Sequence, residues 1–96
     1  MKSVYPVFFT ETDKCVLIEV PDLEILTEGN DLYDAIVMAR DAVELKCMCM
    51  EDDNIDIPTP SKIDDLKIED STFGIHGKTF MSLIDVNTDE YRKKIL

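Results

Sequence analysis

The sequence has no tryptophan, three glycines and one histidine, and its 10 lysine and arginine residues are outnumbered by 21 aspartate and glutamate residues. It lacks the glycine-rich and G-x-S-x-G patterns of phosphate-binding loops and serine nucleophiles. No run approaches the roughly 20 consecutive apolar residues of a membrane span, and the first residues contain no signal-peptide core. We therefore expect a cytoplasmic protein that is not an enzyme, needs no cofactor and does not contact a membrane.

The three cysteines are an odd number without the spacing of a disulfide framework, which favours reduced thiols. Cys47 and Cys49 fall within a predicted helix, where residues two apart point about 200° away from each other. We expect one core thiol and one surface thiol there, because one metal ion cannot easily bind both. His76 lies between Gly74 and Gly77 and is expected in an exposed loop. No metal site is predicted.

The formal net charge is −11 at pH 7 over 96 residues. This length predicts one domain, residues 1–96, because a second core would be too small to offset chain entropy. The charge repels phosphate backbones, and the only basic run is Arg92-Lys93-Lys94, so direct nucleic-acid binding is not expected. An acidic balance is compatible with simple solubility and with electrostatic steering toward a basic partner.

Three strand patterns come first, over residues 4–10, 15–20 and 23–28. Pro6 has no N–H to donate, so the first strand is expected at a sheet edge or with Pro6 facing away from its neighbour. An exposed edge at this strand would allow pairing between copies of the chain.

A long helix is predicted over residues 32–50, after Asn30 or Asp31 as N-cap. Its apolar stripe, at spacings of three and four, consists of Leu32, Ile36, Ala39, Val43, Cys47 and Met50.

After the helix come a proline-containing loop with one helical turn following Ser61, a last strand over residues 78–86, and a short helix from Thr88. The predicted fold is a two-layer α+β domain with the order β-β-β-α-β-α. In it, an antiparallel three-stranded meander is followed by the long helix, a further strand and a short C-terminal helix.

Five segments, in order and at consistent spacing, carry a resemblance to a known family. They are Tyr5-Pro6-Val7, Val20-Pro21-Asp22-Leu23, Thr27-Glu28-Gly29, Leu32-Tyr33-Asp34-Ala35 and Ile57-Pro58-Thr59-Pro60-Ser61. Together they resemble the HicB antitoxin family over residues 4–61, and more loosely from Asp85 to Lys94. The chain departs from the family pattern at Lys14, where glycine is usual, and at Glu24-Ile25, where a Gly-Cys pair is common.

The resemblance implies a partial ribonuclease-H-like, HicB-like domain that forms a homodimer or a higher homo-oligomer. It implies a HicA-type toxin as partner, meaning a small basic protein that cleaves mRNA and is silenced when its RNA-binding surface is covered. Many family members continue into a DNA-binding segment. This sequence resembles the toxin-binding domain alone, as a short member or a truncated one, so DNA binding is not carried over to it.

The carboxylates expected to contact the toxin lie around the third strand and on the solvent face of the long helix. They are Asp22, Glu24, Glu28, Asp34, Asp41 and Glu44. The same carboxylates are equally compatible with a solvated face. Two other functions stay open at this point. One is a non-catalytic RNA-binding or orphan HicB-like regulatory domain. The other is a degenerate ribonuclease-H-like enzyme, which requires carboxylates that converge on a divalent metal.

Overall fold

The computed structural model describes residues 1–95 and confirms the α+β class and the order β-β-β-α-β-α. The elements are β1 (Lys2–Glu11), β2 (Val16–Val20), β3 (Ile25–Gly29), α1 (Leu32–Asp52), β4 (Lys78–Asn87) and α2 (Thr88–Ile95). Neither helix of this described part has the length and apolarity needed to cross a membrane.

The four strands form one antiparallel sheet in the order β3-β2-β1-β4. The expectation that the first strand lies at an edge is wrong, because β4 returns to pair with β1 along its whole length, from Lys2↔Asn87 to Glu11↔Lys78. The edges are β3 and β4. Pro6 lies opposite Leu83 of β4. It lies outside the paired part of β1 and β2, so its missing N–H removes no hydrogen bond between those two strands.

One face of the sheet is covered by α1. The side chains that point to this face alternate along each strand, as the period of two requires. They include Tyr5, Val7, Phe9, Val16, Ile18, Val20, Ile84 and Val86, all of them buried. Phe9 and Phe80, directly opposite each other on β1 and β4, stack with their ring centroids 5.5 Å apart.

The buried stripe of α1 differs from the predicted one at its first turn. Ala35, Ala39, Val43 and Cys47 are fully buried at intervals of four, whereas Leu32 is 39% exposed. Ala35 is buried because β3 comes very close to it. A Cβ atom added to Gly29 would lie 2.5 Å from the backbone nitrogen of Ala35. Only small side chains fit at this crossing.

The opposite face of the sheet is partly covered by residues 62–77. This segment contains three one-turn 3₁₀ helices, Ile63–Asp65, Ile68–Asp70 and Gly74–His76, and packs against β4 and β1. The first of these confirms the helical turn predicted after Ser61. Thr72 fastens the segment to β2, because its N–H and its hydroxyl each donate to the Glu19 carboxylate at 2.8 Å.

Candidate functional site

Asp22, expected on the partner-contact surface, is used inside the fold. Its carboxylate accepts hydrogen bonds from the backbone N–H of Ser61 at 2.8 Å and from the Ser61 hydroxyl at 2.6 Å. Three residues before Ser61, in the loop that follows α1, the carbonyl of Pro58 accepts a hydrogen bond from the Tyr5 hydroxyl at 2.7 Å. Three of the five segments that carry the family resemblance therefore meet through two side chains.

Glu44 is the clearest correction. The prediction that it lies on the solvent face of the helix is wrong, since it is 6% exposed and its Oε2 accepts from the backbone N–H of Asn87 at 2.8 Å. The reason is that α2 packs beside α1 and covers this flank, where Tyr91 is also buried. The predicted apolar stripe of α1 considered contact with the sheet alone, so it did not anticipate that α2 would bury a second side of the helix.

Asp34 takes part in the hydrogen bonds that cap the start of α1. The side chain of Asp31 accepts from the Asp34 N–H at 2.8 Å, which confirms Asp31 as N-cap. In return the Asp34 carboxylate accepts from the N–H of Asn30 at 2.8 Å. The pair satisfies two backbone donors at the helix start.

Asp41 is exposed, but it lies beside Tyr91. Burial raises the pKa of the Tyr91 phenol, and the negative charge of Asp41 with its hydrogen bond raises that pKa further. Asp41 is therefore part of the contact between α1 and α2 as well as of the surface.

Glu24 and Glu28 are the two predicted carboxylates that stay exposed and enter no hydrogen bond or ion pair with side chains or backbone of residues 1–95. Glu24 follows the short 3₁₀ helix Pro21–Leu23 in the left-handed conformation, with φ 54° and ψ 42°. Glu28 lies near the end of β3, opposite Leu17 of β2. The six predicted residues thus divide into carboxylates used by the fold and a smaller set around β3.

Sequence reasoning missed Leu26, which is 55% exposed between the two free carboxylates. With Glu19, Pro21, Glu24, Ile25 and Thr72 it lines a shallow cavity of about 230 Å³. A signal for it exists in the sequence. If Ile25 and Thr27 face the helix, the period of two turns Leu26 outward.

The thiols lie as predicted. Cys47 is buried and Cys49 is exposed. Burial raises the pKa of the Cys47 thiol, and the charge of Glu51 raises it further. His76 is exposed, also as predicted.

Residues 1–95 contain no group of three or more histidine, cysteine, aspartate or glutamate side chains placed to hold a metal ion. Asp85 pairs with Arg40 at 3.0 Å, and the carboxylates of Asp22 and Asp34 accept the hydrogen bonds described above.

No protein-family model and no curated protein sequence matches the chain. Among solved structures, it is similar to a chain of a toxin–antitoxin complex from Streptococcus pneumoniae. The TM-score is 0.81 and the identity 21%, over 95% of this chain and 73% of that one. It is also similar to a chain of a HicA3 and HicB3 toxin–antitoxin complex. There the TM-score is 0.68 and the identity 19%, over 88% of this chain and 99% of that one.

The fold is HicB-like. The resemblance drawn from the five sequence segments is confirmed at the level of fold, and the contacts above give it a physical basis. In this HicB-like fold, Asp22 of the second segment holds Ser61 of the fifth, and Gly29 of the third packs against Ala35 of the fourth. The second and fifth segments are therefore in contact in the fold, as are the third and fourth.

Proposed function

We propose that the chain is the antitoxin of a HicA/HicB-type toxin–antitoxin system. It binds a small, basic, mRNA-cleaving toxin and neutralises it by covering the toxin's RNA-binding surface. The observation that carries the proposal is the similarity of fold to a chain of a toxin–antitoxin complex over 95% of this chain.

The charge supports a mechanism of occupancy. With a formal net charge of −11, the antitoxin competes with RNA phosphates for the same cationic surface. Complementary charge also raises the association rate, and salt weakens the attraction between exposed charges. No chemistry is required of the antitoxin itself, because a bound toxin cannot reach its substrate.

Self-association and cellular location stay predictions. The homodimer or higher homo-oligomer implied by the resemblance cannot use β1, which lies inside the sheet, so β3 and β4 are the edges that could pair. Light scattering coupled to size-exclusion chromatography measures the oligomer directly.

The test is co-expression with the small basic protein encoded beside this chain, followed by co-purification and an mRNA-cleavage assay. We expect a tight complex that silences cleavage and weakens as salt rises. Absence of a complex at low salt would contradict the proposal. Saturable binding of double-stranded RNA at physiological salt would instead favour an RNA-binding domain.

A further inference from the structure

The sheet ends in two edges of different character. Neither β3 nor β4 pairs with another strand on its outer side within the described chain. The unpaired backbone groups of an edge strand are a template onto which an extended segment of a partner can add as a further strand. Charge and side-chain contacts distinguish the two edges.

The β4 edge is neutralised and partly occupied by α1. Arg40 donates from Nη2 to the carboxylate of Asp85 at 3.0 Å and from Nε to the backbone carbonyl of Asp85 at 3.1 Å. Asp85 is the only acidic residue of β4, so this edge presents no unpaired carboxylate.

The β3 edge carries free negative charge around an apolar side chain. Leu26 and Glu28 lie two apart on the strand and so share its outer face, and Glu24 borders the same cavity as Leu26. Lys46 lines a neighbouring cavity with Glu24, but its ammonium group donates to the backbone carbonyl of Leu23 and forms no ion pair with Glu24 in the described residues.

We propose that β3 is the docking edge for the toxin, which adds an extended basic segment there as a fifth strand of the sheet. The inference rests on the proposed antitoxin function and deepens it by naming the surface. Lysine or arginine side chains of the added strand face Glu24 and Glu28. An apolar side chain between them packs on Leu26 and into the cavity of about 230 Å³ beside it.

Backbone hydrogen bonding and charge together favour an extended basic segment as the added strand. Backbone hydrogen bonds of an added strand give affinity to any extended segment, and side chains at alternate positions give specificity. The unpaired carboxylate of Glu28 on the edge strand, with that of Glu24 just before it, disfavours an acidic or self-complementary segment, since like charges directly opposite each other destabilise strand pairs. A segment with cations at alternate positions satisfies both requirements.

Two leucines of similar exposure provide a matched comparison. Leu26 is 55% exposed on β3, and Leu83 is 52% exposed on β4. We expect Leu26→Lys to weaken toxin binding at least tenfold and Leu83→Lys to change it less than twofold, measured by calorimetric titration. Glu24→Lys combined with Glu28→Lys also weakens binding at least tenfold, and circular dichroism checks that each variant is folded.

Hydrogen exchange of the wild-type complex gives a second readout that needs no variant. We expect alternate backbone amides of β3 to exchange more slowly on toxin binding, while amides of β4 keep their rates. A wild-type complex in which β3 gains no protection and Leu26→Lys binds normally overturns the docking edge and leaves the antitoxin function standing. Failure of the wild-type chain to bind at low salt overturns both.

Discussion

Asp22 holds Ser61 by two hydrogen bonds across 39 positions of sequence, one from the Ser61 backbone N–H and one from its hydroxyl. The loop that follows α1 is thereby fastened to the turn that follows β2. With the bond from Tyr5 to Pro58, this contact fixes the path of residues 53–61. Three of the five motif segments thus contact one another inside the fold.

Loss of the Asp22 carboxylate is expected to destabilise the protein. In Asp22→Ala, two Ser61 donors lose a charged acceptor, so the free energy of unfolding falls by about 2 kcal/mol. Urea denaturation measures the change. Glu24→Ala, two residues on and without such bonds, stays within about 0.5 kcal/mol of wild type. Equal stability of Asp22→Ala and wild type would show that the bond contributes nothing.

Gly29→Ala is expected to cost about 3 kcal/mol, because the new methyl group meets the backbone of Ala35 and α1 has to shift away from β3. Gly74→Ala is the matched control. There the nearest atom to an added Cβ is the Ser71 hydroxyl at 2.9 Å, which can rotate away. Neither glycine has positive φ, so the comparison isolates packing. Thermal unfolding separates the two variants, and equal melting temperatures would contradict the close approach.

Thiol labelling of the native protein should follow burial. Cys49 is exposed, Cys15 is half-buried and Cys47 is buried. We expect a thiol reagent to modify Cys49 first. Cys47 reacts on the order of 100-fold more slowly, because it needs local opening of α1 and its raised pKa keeps it protonated. Mass spectrometry of peptides gives each rate, and all three thiols react alike in denaturant. Equal native rates for Cys47 and Cys49 would refute the helix orientation.

The response to acid should depend on Glu51. Burial opposes its ionisation, but hydrogen bonds from Thr88, from the Met1 amino group and from Arg92 outweigh burial and hold its pKa below the usual 4.5. A lowered pKa stabilises the folded protein above about pH 4.5, and this stabilisation is lost as pH falls through the folded value.

We therefore expect Glu51→Gln to lower the free energy of unfolding by about 1 kcal/mol at pH 7, and we expect this difference to shrink as pH falls through the lowered pKa of Glu51. Urea titrations across this range measure the difference. Glu28→Gln, at an exposed site without a hydrogen bond, should track wild type throughout. A Glu51→Gln difference that stays constant as pH falls would point to packing instead of charge.

The elements were predictable from the sequence because each one has a local cause. Alternation of apolar residues marks β2, spacings of three and four mark α1, and Asp31 marks its start. The position of β1 was not predictable from local pattern. Pro6 shows that β1 lacks one N–H donor. The pairing of β1 with β4, which places β1 inside the sheet, depends on residues more than 60 positions away.

The candidate site was predictable in part, for a similar reason. Exposure of Glu24 and Glu28 follows from turn and strand patterns near them in sequence. Burial of Glu44 depends on Asn87, 43 positions away, and the role of Asp22 depends on Ser61. With 21 acidic residues in the chain, type alone does not distinguish a carboxylate that holds the fold from one that is free to meet a partner.

The pairing of β1 with β4 has a consequence for how the protein is made. Lys2 pairs with Asn87, so β1 is synthesised before the other strands and meets its longest partner only when residues up to 87 have followed. Until then, β2 is the only strand with which β1 can pair, along a short ladder of four residue pairs. A nascent chain at this stage exposes the edge of β1 that later pairs with β4, and an unpaired edge makes the chain prone to aggregation. The time needed to translate residues 12–87, rather than the speed of helix formation, then sets how long that exposure lasts.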